Sequence, residues 1–393
     1  MQRAGFVCAI NGSRDGYQVP AALHQAGLLR QFVTDFYAAE SPPVWLPDAM
    51  KRRTNPLLPA DLTTNSLACF TAQHVAAKLG LPMHRIWPHT DAMLGRHALK
   101  LANQLNTHLY CYAGYLPPPG AVADGMKIID FEFHPHPGLT LDLLREDAAR
   151  YPEAAQSFAR ECQIASHERV TEGWRRADAV VCASAMTARS LEHAGCEASK
   201  ITIVPYGIDP VGPPAPRPSD GPMQFLFVGQ GLQRKGLHHL LRAWRAVDPL
   251  QARLTLICYA IDPAIAELAA QPGVTLLGRL DRGALAALMQ QADVFIMPSL
   301  VEGFGLAYLE ALSAGCHVVG TANSGLPDLP LSPAARTLVP VGDISALSEA
   351  VAGLIERRKS GGLDPAVIAA EASQWRWDHF RAGIAEHAKA VLG

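Results

Sequence analysis

Ten short apolar runs, each four to seven residues long, are spaced along this 393-residue chain with helix-length stretches between them. Antiparallel strands can be joined by tight turns, whereas parallel strands need a crossover of a dozen or more residues, usually a helix. The alternation therefore points to parallel sheets covered by helices. In the first half the runs are Gly5–Ile10, Gln31–Phe36, His108–Ala113, Lys127–Phe133 and Ala179–Ala183, with helical patterns at Val19–Gln25 and Thr171–Arg176. The rhythm breaks at Pro205–Pro210 and again at Pro213–Pro218, where the proline density suits a semi-rigid linker. It restarts with Gln224–Gly229, Arg253–Cys258, Val274–Leu277, Asp293–Met297 and His317–Gly320, and with helical patterns at Leu237–Ala246, Ala284–Gln291 and Ile344–Glu356. The expected fold class is α/β: two Rossmann-like doubly wound domains, residues 1–205 and 221–374, joined by a linker at 206–220 and facing each other across a cleft. A last amphipathic pattern, Trp375–Val391, leaves residues 375–393 free to pack back on the first domain.

Composition narrows the function. A net charge of −2 gives no electrostatic reason for a nucleic-acid partner. The eight cysteines are scattered with no Cys-x-x-Cys pair, so neither a disulfide framework nor a zinc site is suggested. The first apolar run is too short for a secretion signal and no 18-residue apolar run occurs, so the expected location is cytoplasmic.

The chemistry concentrates after the run Asp293–Met297. There Pro298-Ser299-Leu300-Val301-Glu302-Gly303-Phe304-Gly305-Leu306 opens a helix with two glycines and little bulk. Free amides and the positive end of a helix dipole would meet at Gly303, Phe304, Gly305 and Leu306, an anion site. Glu302 and Glu310 bracket it with seven residues between them. Carboxylates beside an anion site repel the anion unless they bind neutral hydroxyls, which favours a sugar nucleotide over a bare phosphate. The alternative is a plain strand-to-helix turn with a solvated Glu310. Gly229-Gln230-Gly231-Leu232-Gln233-Arg234-Lys235-Gly236 is a second glycine-bearing turn, whose two cations either grip a diphosphate or are merely solvated. No Gly-x4-Gly-Lys-Ser/Thr is present, which excludes a P-loop.

Two other segments are candidates. In Asp130-Phe131-Glu132-Phe133-His134-Pro135-His136-Pro137, two histidines two apart in an extended segment would point the same way, without further ligands for a metal. Lys51-Arg52-Arg53 lies in the proline-rich stretch Ser41–Pro59 near Trp45, and is read either as solvated loop charge or as a contact with an anionic membrane surface.

Glu302 and Glu310 around Gly-Phe-Gly-Leu resemble the Glu-x7-Glu motif of retaining GT-B glycosyltransferases, family 4. Asp178–Ser184, Ile201–Asp209, Phe227-Val228-Gly229 with Lys235-Gly236, and Gly278-Arg279-Leu280 are similar to further segments of that family. The resemblance implies that Glu310 holds the ribose and Glu302 the donor sugar, with the 303–306 amides at the diphosphate and sugar and Gly229 among the donor-binding residues. It implies that Arg279 and Leu280 contact the base, and that Lys235 and Arg234 stabilise the leaving group. Gln230 stands where the family often has arginine, and Arg234 is taken to replace it. In the first domain, Ile10–Gln18 resembles the family's first loop, implying Gly12 near the donor and Tyr17 and Gln18 near the acceptor. His134, preferred over His136, would hydrogen-bond the donor sugar. The implied reaction moves a hexosyl group, with retention, from a UDP- or GDP-linked sugar to a glycan or lipid-linked acceptor in bacterial surface polysaccharide assembly. It implies no metal, no cofactor, and possible peripheral contact with the inner membrane. A nucleotide-sugar epimerase of similar fold and a non-catalytic carbohydrate-binding relative are the alternatives.

Overall fold

The computed structural model describes residues 3–38, 42–44, 46–116, 121–166, 172–217 and 220–393; Ser41, Trp45, Thr171 and Pro218 of the segments above lie outside them. The N-terminal domain runs β1 (Phe6–Ile10), α1 (Gln18–Gln25), β2 (Leu29–Thr34), α2 (Asp48–Lys51), β3 (Thr63–Asn65), α3 (Leu67–Lys78), α4 (Met83–Gln104) and β4 (His108–Tyr112). It continues with β5 (Ile128–Glu132), α5 (Pro137–Arg150), α6 (Ala155–Ala165), β6 (Ala179–Cys182), α7 (Ala185–His193) and β7 (Ile201–Ile203). Its seven strands lie in the order β3-β2-β1-β4-β5-β6-β7, all neighbouring pairs parallel.

The C-terminal domain runs β8 (Met223–Val228), α8 (Leu237–Trp244), β9 (Ala252–Ile257), α9 (Pro263–Leu268), β10 (Val274–Leu277), α10 (Arg282–Gln291), β11 (Val294–Ile296) and α11 (Leu306–Ser313). Then follow β12 (His317–Thr321), β13 (Arg336–Val339), α12 (Ile344–Lys359), α13 (Pro365–Ala372) and α14 (Trp377–Leu392). Its six strands are parallel in the order β10-β9-β8-β11-β12-β13. Central strands such as β1, β4, β5 and β12 are buried at every position, which is why they read as unbroken apolar runs. In both sheets the order reverses beside the first strand, between β1 and β4 and between β8 and β11, and the crevices at these switch points face each other.

Several expectations change. Residues 41–59 are not wholly irregular, since α2 forms there, and the pattern at Thr171–Arg176 is a short 3-10 turn at Gly173–Arg176. Helices α3 and α4 fill a stretch with no assigned element. Helix α14 packs on α1, with Arg381 donating to Gln18 Oε1 at 2.7 Å and to Gln25 Oε1 at 2.9 Å.

Candidate active site

Of the six helices α8 to α13, four begin on an aspartate whose carboxylate accepts first-turn amides: Asp262, Asp281, Asp343 and Asp364. The two that open toward the cleft do not. Helices α8 and α11 begin on Gly236 (φ +66°) and Gly305 (φ +87°), with no side-chain cap and no acid in the first turn. A carboxylate cap would cancel the partial positive charge of a helix start, so bare amides are what an anion site needs. Glycine is forced at both: a Cβ on Gly236 would lie 2.0 Å from the Pro298 carbonyl oxygen, and one on Gly305 2.6 Å from the Tyr308 ring.

The cationic turn Gln233–Lys235 precedes α8. The Arg234 carbonyl accepts from Leu300 N at 2.9 Å and Val301 N at 3.3 Å, tying this turn to the chain just before Glu302. Lys235 Nζ pairs with the Glu302 carboxylate, whose Oε1 accepts the Gly303 N–H at 3.1 Å. Burial alone would raise the Glu302 pKa; Lys235 and Arg234 outweigh it and hold the carboxyl below the usual glutamate range. Glu302 is therefore a buried anion with its cation in place. Glu310 shifts the other way, raised by burial with only the Arg282 charge opposing. Arg234 Nε lies 3.9 Å from Glu161 Oε1.

The N-terminal domain forms the opposite wall. Ser184 Oγ donates to the Gly303 carbonyl, and the Ala185 N–H donates to Asp328 Oδ2 at 2.7 Å. The Phe133 carbonyl comes so near Gly303 that a Cβ there would lie 2.6 Å away. His134 opens into the cleft. Loss of solvation between the walls, and then the charges of Arg234, Arg14 and Lys235, push its pKa well below the usual histidine range. Its ring faces solvent on one side, but three cations favour the neutral form whatever the degree of drying. His136 does not point the same way: it is buried at the start of α5, where its Nδ1 accepts the Gly138 N–H at 3.1 Å.

Two hollows meet at His134. One, about 640 Å³, is lined by Arg14, Gly229, Gln230, Arg234, Lys235, Tyr259 and Glu302 among others. The other, about 410 Å³, lies in the N-terminal domain against Asn11, Gly12, Gln73, Trp87, Asp91 and Glu132. A larger hollow of about 720 Å³ around Tyr37, Asn55 and Leu57 has no lysine, arginine or carboxylate in its lining. The structure thus brings together Gly12, Gly229, Arg234, Lys235, His134 and Glu302. Arg279 and Leu280 follow the edge strand β10, and adjoin Glu310 through Arg282. The Phe304 side chain is buried against Tyr206 at 5.5 Å between ring centroids, so it anchors the turn rather than facing a ligand.

Tyr17 and Gln18 do not face the acceptor hollow. Three consecutive left-handed residues, Asp15, Gly16 and Tyr17, turn the Tyr17 ring inward, where it is fully buried and donates to the Phe36 carbonyl at 3.2 Å. Gln18 is buried beneath α14. Neither is Lys51-Arg52-Arg53 a free basic patch: Arg53 grips Asp35, with Nη1 to Oδ2 at 2.9 Å, and Lys51 pairs with Asp48. Arg14, Asn11, Gln73, Trp87, Asp91 and Tyr259 were missed as lining residues; only Arg14 and Asn11 carried a signal, their place in the loop after β1.

Among the described residues one trio of potential metal ligands converges, Asp147 with His238 and His239, all buried and spanning both domains. Asp147 Oδ2 lies 2.9 Å from His238 Nε2 and accepts Gln233 Nε2 at 2.8 Å, and Oδ1 lies 2.7 Å from His239 Nε2. Burial would raise the Asp147 pKa, but the two imidazoles lower it. Metal-bound imidazoles hold their second nitrogen with an acceptor; here both Nδ1 atoms lack a partner. The trio fits an interdomain fastening better than a metal centre.

Residues 222–357 match the family model described as Glycosyl transferases group 1. The putative colanic acid biosynthesis glycosyltransferase WcaL of Escherichia coli is 28% identical over 195 residues, covering 46% of this chain and 48% of that protein. The amylovoran biosynthesis glycosyltransferase AmsK of Erwinia amylovora is 30% identical over 45% of this chain and 47% of its own. The chain thus spans about half the length of the curated relatives it matches. Sucrose-phosphate synthase from Thermosynechococcus elongatus superposes over 99% of both chains at TM-score 0.63 and 18% identity. Anabaena HepE in complex with UDP-glucose superposes over 98% of this chain and 99% of its own, at TM-score 0.60 and 15% identity. Full-length superposition on such structures establishes the GT-B fold, two Rossmann-like domains across a cleft, as the architecture of this chain.

Proposed function

We propose that this chain is a retaining glycosyltransferase that moves a hexosyl group from a UDP- or GDP-linked sugar to a glycan or lipid-linked acceptor, in surface polysaccharide assembly. One observation carries the reading: at the cleft, and not elsewhere among α8 to α13, helix starts are stripped of acidic caps and joined by Arg234 and Lys235. The names of WcaL and AmsK support the polysaccharide setting.

On this reading the donor diphosphate lies against the start of α11, where the amides and the two cations stabilise the charge that develops as the glycosidic bond to phosphate breaks. Such preorganised electrostatics generally supply the largest part of a barrier reduction. Glu302, kept ionised by Lys235, accepts hydrogen bonds from sugar hydroxyls; Glu310 does the same for the ribose; neutral His134 bonds the sugar without adding charge. Arg279 and Leu280 contact the base. The departing phosphate accepts the acceptor's proton, so the reaction proceeds without a covalent enzyme intermediate and calls for no resident metal. The N-terminal hollow receives the acceptor, a chamber an epimerase has no use for.

A thermal-shift screen with UDP-, GDP- and ADP-hexoses tests this, because a ligand that binds only the folded state raises the melting temperature with its affinity. One base class is expected to stabilise the wild type, and Glu310→Ala and Lys235→Ala to abolish the shift. Stabilisation by none at millimolar concentration overturns the reading.

A further inference from the structure

Two aromatic rings are left out of the packing. Among the described residues only Trp87, at 48%, and Tyr259, at 62%, stand exposed, and both line the cleft hollow of about 640 Å³, one on each wall. Scattered exposed apolar residues are ordinary on any surface, but here both rings fall in one hollow. Trp87 also reaches the N-terminal hollow. Tyr259 belongs to the first hollow alone, and among the described residues its ring has no aromatic neighbour and its hydroxyl no hydrogen bond.

Strand register fixes what lies beside it. Val228 of β8 pairs with Ile257 of β9, which pairs with Leu277 of β10. Gln230, Tyr259 and Arg279, each two residues further on, therefore leave the sheet in a row at its carboxyl edge. The Tyr259 loop is pinned on both flanks. Gly231 N donates to the Ala260 carbonyl at 2.8 Å and Asp262 N to the Gly231 carbonyl at 3.0 Å, while Cys258 N donates to the Leu277 carbonyl at 3.0 Å. A Cβ on Gly231 would lie 2.4 Å from Ile261 Cγ1, so the two loops touch. An exposed ring on a rigid mount is preorganised for a flat ligand, because little more freedom is lost on binding.

Position and charge select that ligand. The loop of Gly229, Arg234 and Lys235 lies one strand away on one side, and that of Arg279 and Leu280 one strand away on the other. Neighbouring strands are about 4.8 Å apart, so the row spans about 10 Å. A nucleoside diphosphate fits it with its phosphates at the cationic end and its base beyond. From Leu254 to Ile261 there is no charged side chain, which suits the face of a base and not a phosphate. We propose that Tyr259 is the platform on which the donor's nucleobase stacks. The inference rests on the transferase reading, which puts the diphosphate beside Gly229 and Lys235.

Calorimetry of the full chain with UDP, GDP, ADP and inorganic pyrophosphate tests it. The wild type is expected to bind one of the nucleotides more tightly than pyrophosphate. Tyr259→Ala should weaken that nucleotide by about 5- to 150-fold, the usual contribution of one stacked base, and leave pyrophosphate binding unchanged. Tyr259→Phe should bind as the wild type does, because the ring and not the hydroxyl makes the contact. Leu250→Ala, at a leucine that is 82% exposed on the same domain, is the control and should change neither affinity. Because Tyr259 is so exposed, melting temperatures without nucleotide should stay at the wild-type value. Three results overturn the platform while leaving the transferase reading in place: nucleotide affinity intact in Tyr259→Ala, an equal loss for pyrophosphate, or Tyr259→Phe as weak as Tyr259→Ala. A wild type that binds none of the three nucleotides overturns both.

Discussion

Gly303→Ala asks whether the two domains must meet for turnover. Gly303 lies outside the left-handed region, so its backbone accepts alanine without strain. The added methyl would stand 2.6 Å from the Phe133 carbonyl oxygen, whereas real Cβ contacts almost never fall below 3.0 Å and seldom below 3.4 Å. The turn and the end of β5 must separate by about 0.4–0.8 Å to admit it. In a locked core, overpacking of this size costs about 1–3 kcal/mol. Here the domains can swing apart instead, and the same energy disfavours the closed state by about 5- to 150-fold. The Gly303 amide survives the change and no anion contact is lost, so donor affinity measured by calorimetry should fall only by the share that closure contributes, and by less than turnover. Turnover should fall by the larger factor, and small-angle scattering with saturating nucleotide should report a more open particle. Full activity with an unchanged scattering profile would refute the reasoning. So would a loss of donor affinity as large as the loss of turnover, which would place the defect within the turn.

Lys235→Ala leaves Glu302 as a buried carboxylate without its cation, a change that costs about 3–5 kcal/mol and should lower the melting temperature by roughly 6–20 °C for a domain of this size. Calorimetric melting of Lys235→Ala/Glu302→Gln should show most of that loss recovered; a double variant no more stable than Lys235→Ala sinks the coupling. Asp130 and Glu132 lie buried side by side on β5, and burial raises both carboxyl pKa values. The stability such a carboxyl contributes when neutral is complete below its unfolded pKa of about 4 and disappears as pH rises through the raised folded value. Asp130→Asn should therefore raise the urea midpoint at pH 8 relative to wild type, with the advantage fading toward pH 4. A pH-independent difference between the two proteins rejects the assignment.

How much could be read beforehand depended on whether the relevant physics was local. The central strands were legible because burial on both faces demands continuous apolar sequence. Three edge strands, β3, β7 and β13, escaped because they are short and their side chains stay partly open to water, whereas the fourth, β10, was legible through three apolar residues in four. Helix α3 escaped for the opposite reason: with apolar residues on nearly all sides it has no amphipathic period to detect. Glu302 and the Arg234-Lys235 pair were legible as cleft residues because each lies within a few residues of a glycine that fixes the turn. Tyr17 was misassigned because closeness in sequence to the loop after β1 says nothing of direction, and three left-handed residues in succession reverse it. Arg53 looked like free charge because its partner, Asp35, is 18 residues away at the end of β2.

The linker and the anion turn share one set of aromatic contacts. The two chain crossings between the domains run side by side, Ile208 N donating to the Trp375 carbonyl at 3.0 Å. Gly207 is required there, since a Cβ would lie 2.1 Å from the backbone carbon of Arg376. Tyr206, next in line, packs on Phe131 of the first sheet at 5.9 Å, on Phe380 of α14 at 5.2 Å and on Phe304 of the turn at 5.5 Å. Any rotation that opens the cleft must pivot near these crossings and thus work against the Phe304 ring. On the proposed reading, an anion seated at the start of α11 would order the turn that holds Phe304 and so bias the pivot toward closure. Closure in turn shields the Lys235–Glu302 pair and the bare helix starts from water, where the same charges would be worth far less. On that reading, charge at the cleft and geometry at the linker would be two ends of one equilibrium.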